Sequence, residues 1–124
     1  MDQTKTRIYN LQDRTYRYAL DVVRFLETLP HDYVAQTMGK QLLRSATSVG
    51  ANVVEAKASG SKRDFANFYN HSLKSANEST FWLGLLKDAG KTSEQDATPL
   101  LQETAELSNI LAASLLTMRG RRNA

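Results

Sequence analysis

The residues of this chain that could do chemistry are two histidines, several serines and a set of carboxylates. A di-iron centre in a helical protein needs inward carboxylates and Glu-x-x-His spacing on two helices, and neither His31 nor His71 follows a glutamate by three positions. No Gly-x-Ser-x-Gly, phosphate-loop or dinucleotide motif is present. His71 could activate the hydroxyl of Ser72 or Ser75 as a nucleophile, but neighbouring residues on one helix do not make an active site. We therefore predict a protein that is not an enzyme and needs no metal or cofactor.

Composition narrows the class of protein further. The chain has 124 residues, no cysteine and a formal charge of +3, which fits one domain without disulfides or thiolate metal sites. No apolar run approaches the ~18 residues of a membrane span, and charges interrupt every candidate signal peptide in the first thirty residues. We expect a single cytoplasmic domain, 1–124, with no membrane partner. The small excess of basic over acidic residues permits nucleic acid as a partner.

Apolar residues recur with helical periodicity and few glycine or proline residues interrupt them, which predicts an all-α fold. Asn10 and Ser61 suit helix N-caps, Pro30 closes the first helix, and Gly90 suits the position after a helix. Four helices with short loops favour an antiparallel up-down-up-down four-helix bundle. The predicted elements are helices at about 11–29, 32–58, 62–89 and 98–118, followed by a flexible basic tail at 119–124.

The sequence offers two starts for the last helix. Thr98 as N-cap with Pro99 at the first helical position is a typical start. A start at Ser93 would leave Pro99 inside the helix, so we favour Thr98.

Polar residues recur along the second predicted helix with the spacing of a heptad seam. They are Gln41, Ser45, Ser48, Asn52 and Glu55. The third helix offers Lys74 and Glu78 as partners. Because buried polar groups need partners, the seam is a solvated face, a satisfied buried network or a subunit interface. We favour a structural network that fixes helix register.

The third helix also carries more apolar residues than one stripe needs. Phe81, Trp82 and Leu85 lie off its main stripe. They indicate either a wide core-facing surface or an interface between copies, and the second alternative predicts a homo-oligomer.

Charge is distributed unevenly along the chain. Residues 93–118 contain Glu94, Asp96, Glu103 and Glu106 and no basic residue, so we expect the last helix to present an acidic face. The basic residues that could bind phosphate are Arg14, Arg17, Arg24, Lys57, Lys62, Arg63, Arg119, Arg121 and Arg122. In an up-down bundle the second turn and the C-terminal tail share one end, which would concentrate positive charge. Ordinary solvated surface is the alternative.

The second helix resembles a known family signature. Residues 41–56, QLLRSATSVGANVVEA, together with Leu29-Pro30, Ser61, Phe65 and Trp82-Leu83, resemble the four-helix-bundle family of the 23S rRNA intervening-sequence protein. The resemblance covers about residues 10–118. The recurrent positions of that family correspond to a structural and interface network here, at Arg44, Ser45, Ser48, Asn52, Glu55 and Glu78.

This resemblance implies a left-handed antiparallel bundle that assembles into a homopentamer. The family is similar to the accessory variability determinant of diversity-generating retroelements, a basic pentamer that binds nucleic acid and a reverse transcriptase. We therefore expect a non-enzymatic oligomer that binds RNA or DNA through backbone contacts with little sequence selectivity. The alternative is a scaffold that recruits a partner enzyme, such as a reverse transcriptase, without touching nucleic acid.

Overall fold

Four α-helices make up the described part of the chain. The computed structural model describes the backbone of residues 10–123 and the side chains of residues 10–120. The helices are α1 (Leu11–Leu26), α2 (Tyr33–Ala58), α3 (Lys62–Asp88) and α4 (Glu94–Asn123). No strand occurs between residues 10 and 123, so the predicted all-α class is confirmed.

Short polar side chains cap the first three helices. The Asn10 and Ser61 side chains accept hydrogen bonds from backbone N–H groups three residues on, at 3.0 and 3.1 Å, as the sequence predicts. Asp32 does the same for α2, where its Oδ1 accepts from Ala35 N at 2.9 Å. These bonds satisfy backbone donors that have no partner within the first turn.

Gly90 ends α3 as the sequence predicts. Its φ of 73° lies in the left-handed region, which glycine adopts without a steric penalty. Lys91 N then donates to Leu86 O at 2.9 Å, and Gly90 N donates to Lys87 O at 3.0 Å. This is the Schellman arrangement that closes many helices.

The first helix is shorter than predicted. It ends at Leu26 and not near residue 29, because Thr28 N and Leu29 N donate to carbonyls three residues back, at Phe25 and Leu26. Such three-residue bonds tighten the chain into a turn. Leu29 nevertheless stays buried in the core, so the apolar pattern continues past the end of the helix.

The predicted start of the last helix is wrong. Ser93 Oγ accepts from Asp96 N at 3.1 Å and Ser93 O accepts from Ala97 N at 3.0 Å. The helix therefore begins at Glu94 and Pro99 lies inside it. The early start places Ala97 in the buried core and puts acidic side chains in the first turn, where the helix dipole favours them. The predicted tail is also different, since the helix continues to Asn123.

Each helix packs against its neighbours in sequence, and α1 also packs against α4. One contiguous cluster of buried apolar residues consists of Leu11, Tyr18, Val22, Phe25, Leu29, Met38, Leu42, Ala46, Val49, Val53, Ala76, Leu83, Leu86, Leu100, Leu107 and Leu111. Close approach of α1 and α2 requires a small residue at Gly50, where an added Cβ would lie 3.1 Å from Thr15 Oγ1. No helix in the described range is long and apolar enough to cross a membrane.

Candidate nucleic-acid interface

A cleft of about 1220 Å³ lies where the α2–α3 turn meets the C-terminal part of α4. Four of the predicted phosphate-binding residues line it: Lys57 at the end of α2, Lys62 and Arg63 at the start of α3, and Arg119 on α4. No carboxylate is among the described residues that line the cleft. We call these four side chains the cleft cations. The structure thus brings residues that are 62 positions apart in sequence, from 57 to 119, to one basic surface.

The cleft cations are available to a ligand. All four are exposed. Within residues 10–120 none of them forms an ion pair. Salt largely screens the attraction between exposed charges beyond a Debye length of about 10 Å, so a cation without a neutralising partner attracts phosphates that come within that distance. Concentrated positive charge of this kind is what backbone contacts to nucleic acid need.

Arg14 does not belong to this surface, although the sequence analysis assigned it to phosphate binding. Its guanidinium donates to both Glu103 oxygens at 2.8 Å, and it also pairs with Glu106. The hydrogen bond to Glu103 raises the pKa of Arg14, partial burial opposes this, and the charges of Glu103 and Glu106 add to the rise. This bidentate arginine links α1 to α4. Because carboxylates already neutralise its charge, it attracts a phosphate only weakly.

The same pairing alters the predicted acidic face of α4. Glu103 and Glu106 are occupied by Arg14, while Glu94 and Asp96 lie in the first turn. Glu103 and Glu106 therefore stabilise the packing of α1 against α4, and Glu94 and Asp96 stabilise the start of the helix. They do not form one free acidic surface.

Arg17 and Arg24 are also separate from the cleft. Arg17 pairs with Asp13 on its own helix at 2.9 Å. Arg24 is exposed in the last turn of α1, ten residues beyond Arg14, which is about 15 Å along a helix axis. Arg14 pairs with Glu103 and Glu106 on α4, so its charge is not available to a phosphate beside those of Arg17 and Arg24. The side chains of Arg121 and Arg122 lie outside the described residues.

The predicted polar seam of α2 divides into a buried part and an outer part. Ser45 is fully buried and its Oγ lies 2.8 Å from Ser79 Oγ on α3. On the outside, Arg44 donates to Glu78 at 2.6 Å and to Gln41 at 3.2 Å. Of the five seam residues of α2, only Ser45 is fully buried.

Among the remaining predicted network residues, Ser48 and Asn52 are half-buried, and Glu55 and Lys74 are exposed. Asn52 Nδ2 donates to the Ser48 carbonyl at 2.8 Å, within α2. Glu55 and Lys74 are exposed and form no ion pair among the described residues. Trp82 Nε1 lies 3.4 Å from Glu78 Oε1 and extends the Arg44–Glu78 pair along α3.

Pairs of buried hydroxyl groups form the polar interior, and the sequence did not predict these pairs. Tyr18 OH on α1 lies 2.6 Å from Thr104 Oγ1 on α4, and Ser45 pairs with Ser79 between α2 and α3. Burial raises the pKa of Tyr18, although hydrogen bonds to Thr104 and Ser79 oppose the shift. Ser79 lies three residues after Ala76 and four before Leu83, and Thr104 lies four after Leu100 and three before Leu107, so helical spacing places both hydroxyls on apolar stripes. Their pairing had no signal in the sequence, because the partner of Thr104 is 86 positions away.

The described residues give no support for a metal site. No three histidine, cysteine, aspartate or glutamate side chains within the described residues lie close enough together to hold a metal ion. His71 is exposed on α3.

Helical packing and comparison with known proteins define the class of this protein. It is an all-α protein of four helices with a basic cleft at its α2–α3 turn. Residues 8–113 match the family model of the 23S rRNA-intervening sequence protein. The chain belongs to that family.

A solved structure supports the same assignment. The chain is similar to a protein with unknown function from the S23 ribosomal protein family of Bacteroides thetaiotaomicron VPI-5482, solved at 1.70 Å. The two share 33% sequence identity with a TM-score of 0.76, over 84% of this chain and 96% of that one. No curated protein matches the sequence.

Proposed function

We propose that this protein is a non-enzymatic, oligomeric four-helix bundle that binds RNA or DNA electrostatically, in the cytoplasm and with little sequence selectivity. The observation that carries the proposal is the set of cleft cations, which are exposed, lack ion pairs within residues 10–120 and surround a cleft without carboxylates among its described lining residues. Contacts from such residues go to phosphates, which position a nucleic acid without reading its sequence.

An antiparallel up-down-up-down arrangement, with a left-handed twist, is part of this proposal. The pairings between helices support the alternation in direction. Arg44 pairs with Glu78 and, further along α2, Val49 O accepts from Ser72. As the residue number rises on one helix it falls on the other. The short connections between successive helices fit the same topology.

A salt titration tests nucleic-acid binding. Fluorescence anisotropy on a duplex DNA and a structured RNA, from about 50 to 200 mM salt, should show affinity falling with a log–log slope of about −0.9 for each phosphate contact on B-DNA. Lys62→Ala combined with Arg63→Ala should make the slope shallower by about 1.8, since two such contacts are lost.

The matched control is Arg24→Ala, which removes an exposed charge away from the cleft. It should leave slope and affinity close to wild type. An Arg119→Ala, Arg121→Ala, Arg122→Ala variant extends the test to α4. Absence of binding at the lowest salt, or equal losses in the control and cleft variants, would contradict the proposal.

A second candidate function is a scaffold that recruits a partner protein, such as a reverse transcriptase. Exposed apolar side chains favour it, since Phe81 is 59% exposed and Leu85 is 39% exposed on α3. Contiguous apolar surface of this kind marks protein contacts. If nucleic acid does not bind while the oligomer stays intact, this candidate takes precedence.

A further inference from the structure

Two aromatic rings lie within the same basic cleft. Phe65 and Tyr69, one turn apart on α3, both line it. Their ring centroids are 4.6 Å apart with an interplanar angle of 29°, which is a stacked arrangement. Both side chains are half-buried, so each keeps part of its surface open to a ligand.

The two rings have different roles in the stack. Tyr69 packs against the hydrophobic core, whereas Phe65 lies outside that core cluster. Tyr69 therefore stacks on Phe65 from the core side, and the part of Phe65 that stays exposed lines the cleft. Burial raises the pKa of Tyr69, so its phenol is neutral at physiological pH and adds no negative charge to the cleft.

Polar groups around the rings suit the edges of bases. The amides of Asn67 and Asn70 line the cleft beside the aromatic pair. An amide offers both donors and an acceptor, which is what exposed base edges require. A duplex hides its base faces by stacking them internally, so an aromatic platform has nothing to contact there. Unpaired bases present those faces.

We propose that the cleft binds single-stranded nucleic acid, with an unpaired base stacked on Phe65 and the flanking phosphates held by the cleft cations. This inference rests on the proposed function, because it assumes that the cleft cations bind phosphates. It adds that the ligand is single-stranded and that bases contribute to affinity. Stacking platforms combined with basic grooves are the general means of binding single strands without sequence preference.

The test compares ligands that differ in their bases and keep their phosphates. Wild-type protein is titrated with a single strand of about ten nucleotides, as RNA and as DNA, with the matching duplex, and with a single strand carrying abasic sites. Each stacked base should strengthen binding by about 5- to 150-fold. The intact strand should therefore bind at least about 5-fold more tightly than the abasic strand. The RNA and DNA arms show whether the sugar matters.

Two substitutions remove the platform and leave the charges in place. Phe65→Leu and Tyr69→Leu should each weaken single-strand binding by at least about 5-fold and leave the salt slope unchanged. Tyr33→Leu, at an exposed aromatic residue at the start of α2 that does not line this cleft, is the matched control and should have no effect. Because Tyr69 packs against the core, thermal unfolding checks that the Tyr69→Leu variant still folds. If it does not fold, Phe65→Leu and the comparison with the abasic strand decide the test.

The outcomes separate this inference from the proposed function. Equal affinity for the intact strand, the abasic strand and the duplex, with a normal salt slope, would overturn the stacking inference and leave electrostatic binding standing. Loss of affinity in Tyr33→Leu equal to that in Phe65→Leu would also overturn it. No binding to any of the ligands at low salt would contradict both.

Discussion

At the residue scale, Tyr18 connects two helices through a single hydroxyl. It is almost fully buried, and its OH lies 2.6 Å from Thr104 Oγ1, which also donates to Leu100 O at 2.6 Å. Removing the phenolic hydroxyl with Tyr18→Phe takes away the link to α1 but leaves Thr104 with a partner. We therefore expect the free energy of unfolding to fall by about 0.5–1.5 kcal/mol, the net value of one hydrogen bond.

Urea denaturation measures this change, and Tyr16→Phe is its control. Tyr16 is 69% exposed on the same helix, so its substitution should stay within about 0.5 kcal/mol of wild type. A Tyr18→Phe variant as stable as this control would show that the buried hydroxyl pair contributes nothing net.

The Tyr18 hydroxyl also makes stability depend on pH. Burial raises its pKa above the ordinary value of 10.0 in the folded state, so at alkaline pH the unfolded chain loses this proton before the folded protein does. Because the unfolded state then binds fewer protons, the free energy of unfolding falls as pH rises through and above 10.

Comparison of variants isolates this contribution from other groups that titrate in the same range. The difference in unfolding free energy between wild type and Tyr18→Phe, measured by urea denaturation at several pH values, should be constant below about pH 9 and shrink above it. A difference that grows with pH would mean that the sign, and hence the role of burial, is wrong.

At the element scale, the start of α4 shows where a local signal gives the wrong boundary. Thr98-Pro99 is a typical helix start, yet Ser93 caps the helix and Pro99 lies inside it. Proline there supplies no N–H to the carbonyl four residues back. Pro99 therefore costs α4 one backbone hydrogen bond, whereas the start at Ser93 lets the first turn of the helix bury Ala97.

Two substitutions distinguish the observed start from the predicted one. Ser93→Ala should lower the free energy of unfolding by about 0.5–2 kcal/mol because a capping oxygen is lost. Pro99→Ala should raise it, by up to about 3 kcal/mol, because a helical hydrogen bond becomes possible. Denaturant unfolding measures both.

Thr98→Ala is the control for the same region. Thr98 is exposed inside α4, so alanine there should be neutral or mildly stabilising. A large loss in Thr98→Ala together with no effect of Ser93→Ala would restore the start at Thr98.

At the scale of the whole molecule, the exposed apolar residues of α3 bear on assembly. We expect wild-type protein to form a homo-oligomer, with a pentamer as the specific expectation, that buries Phe81 and Leu85. Placing charge there, with Phe81→Glu and Leu85→Glu together, should dissociate it, because an unpaired buried charge opposes association. Light scattering coupled to size exclusion gives the mass of each species.

The control for assembly is Leu116→Glu, at a position on α4 that is 65% exposed. It introduces the same charge on a different helix and should leave the mass unchanged. A monomeric wild type at tens of micromolar would contradict oligomerisation itself. An intact oligomer in the double variant would place the interface on another face.

Sequence by itself determined the features that depend on near neighbours along the chain. The caps at Asn10 and Ser61 and the turn at Gly90 follow from local hydrogen bonding, and the apolar stripes follow from helical periodicity. These interactions span only a few residues, so a single sequence contains all the information that they need.

Only the tertiary structure decided which polar groups meet across helices. Arg14 and Glu103 are 89 positions apart, so whether this arginine is paired or free depends on how α1 packs beside α4. The same packing determines that Lys62, Arg63 and Arg119 share one cleft with Phe65. Helical periodicity gives the face that a side chain occupies, but packing and register between helices decide its partner.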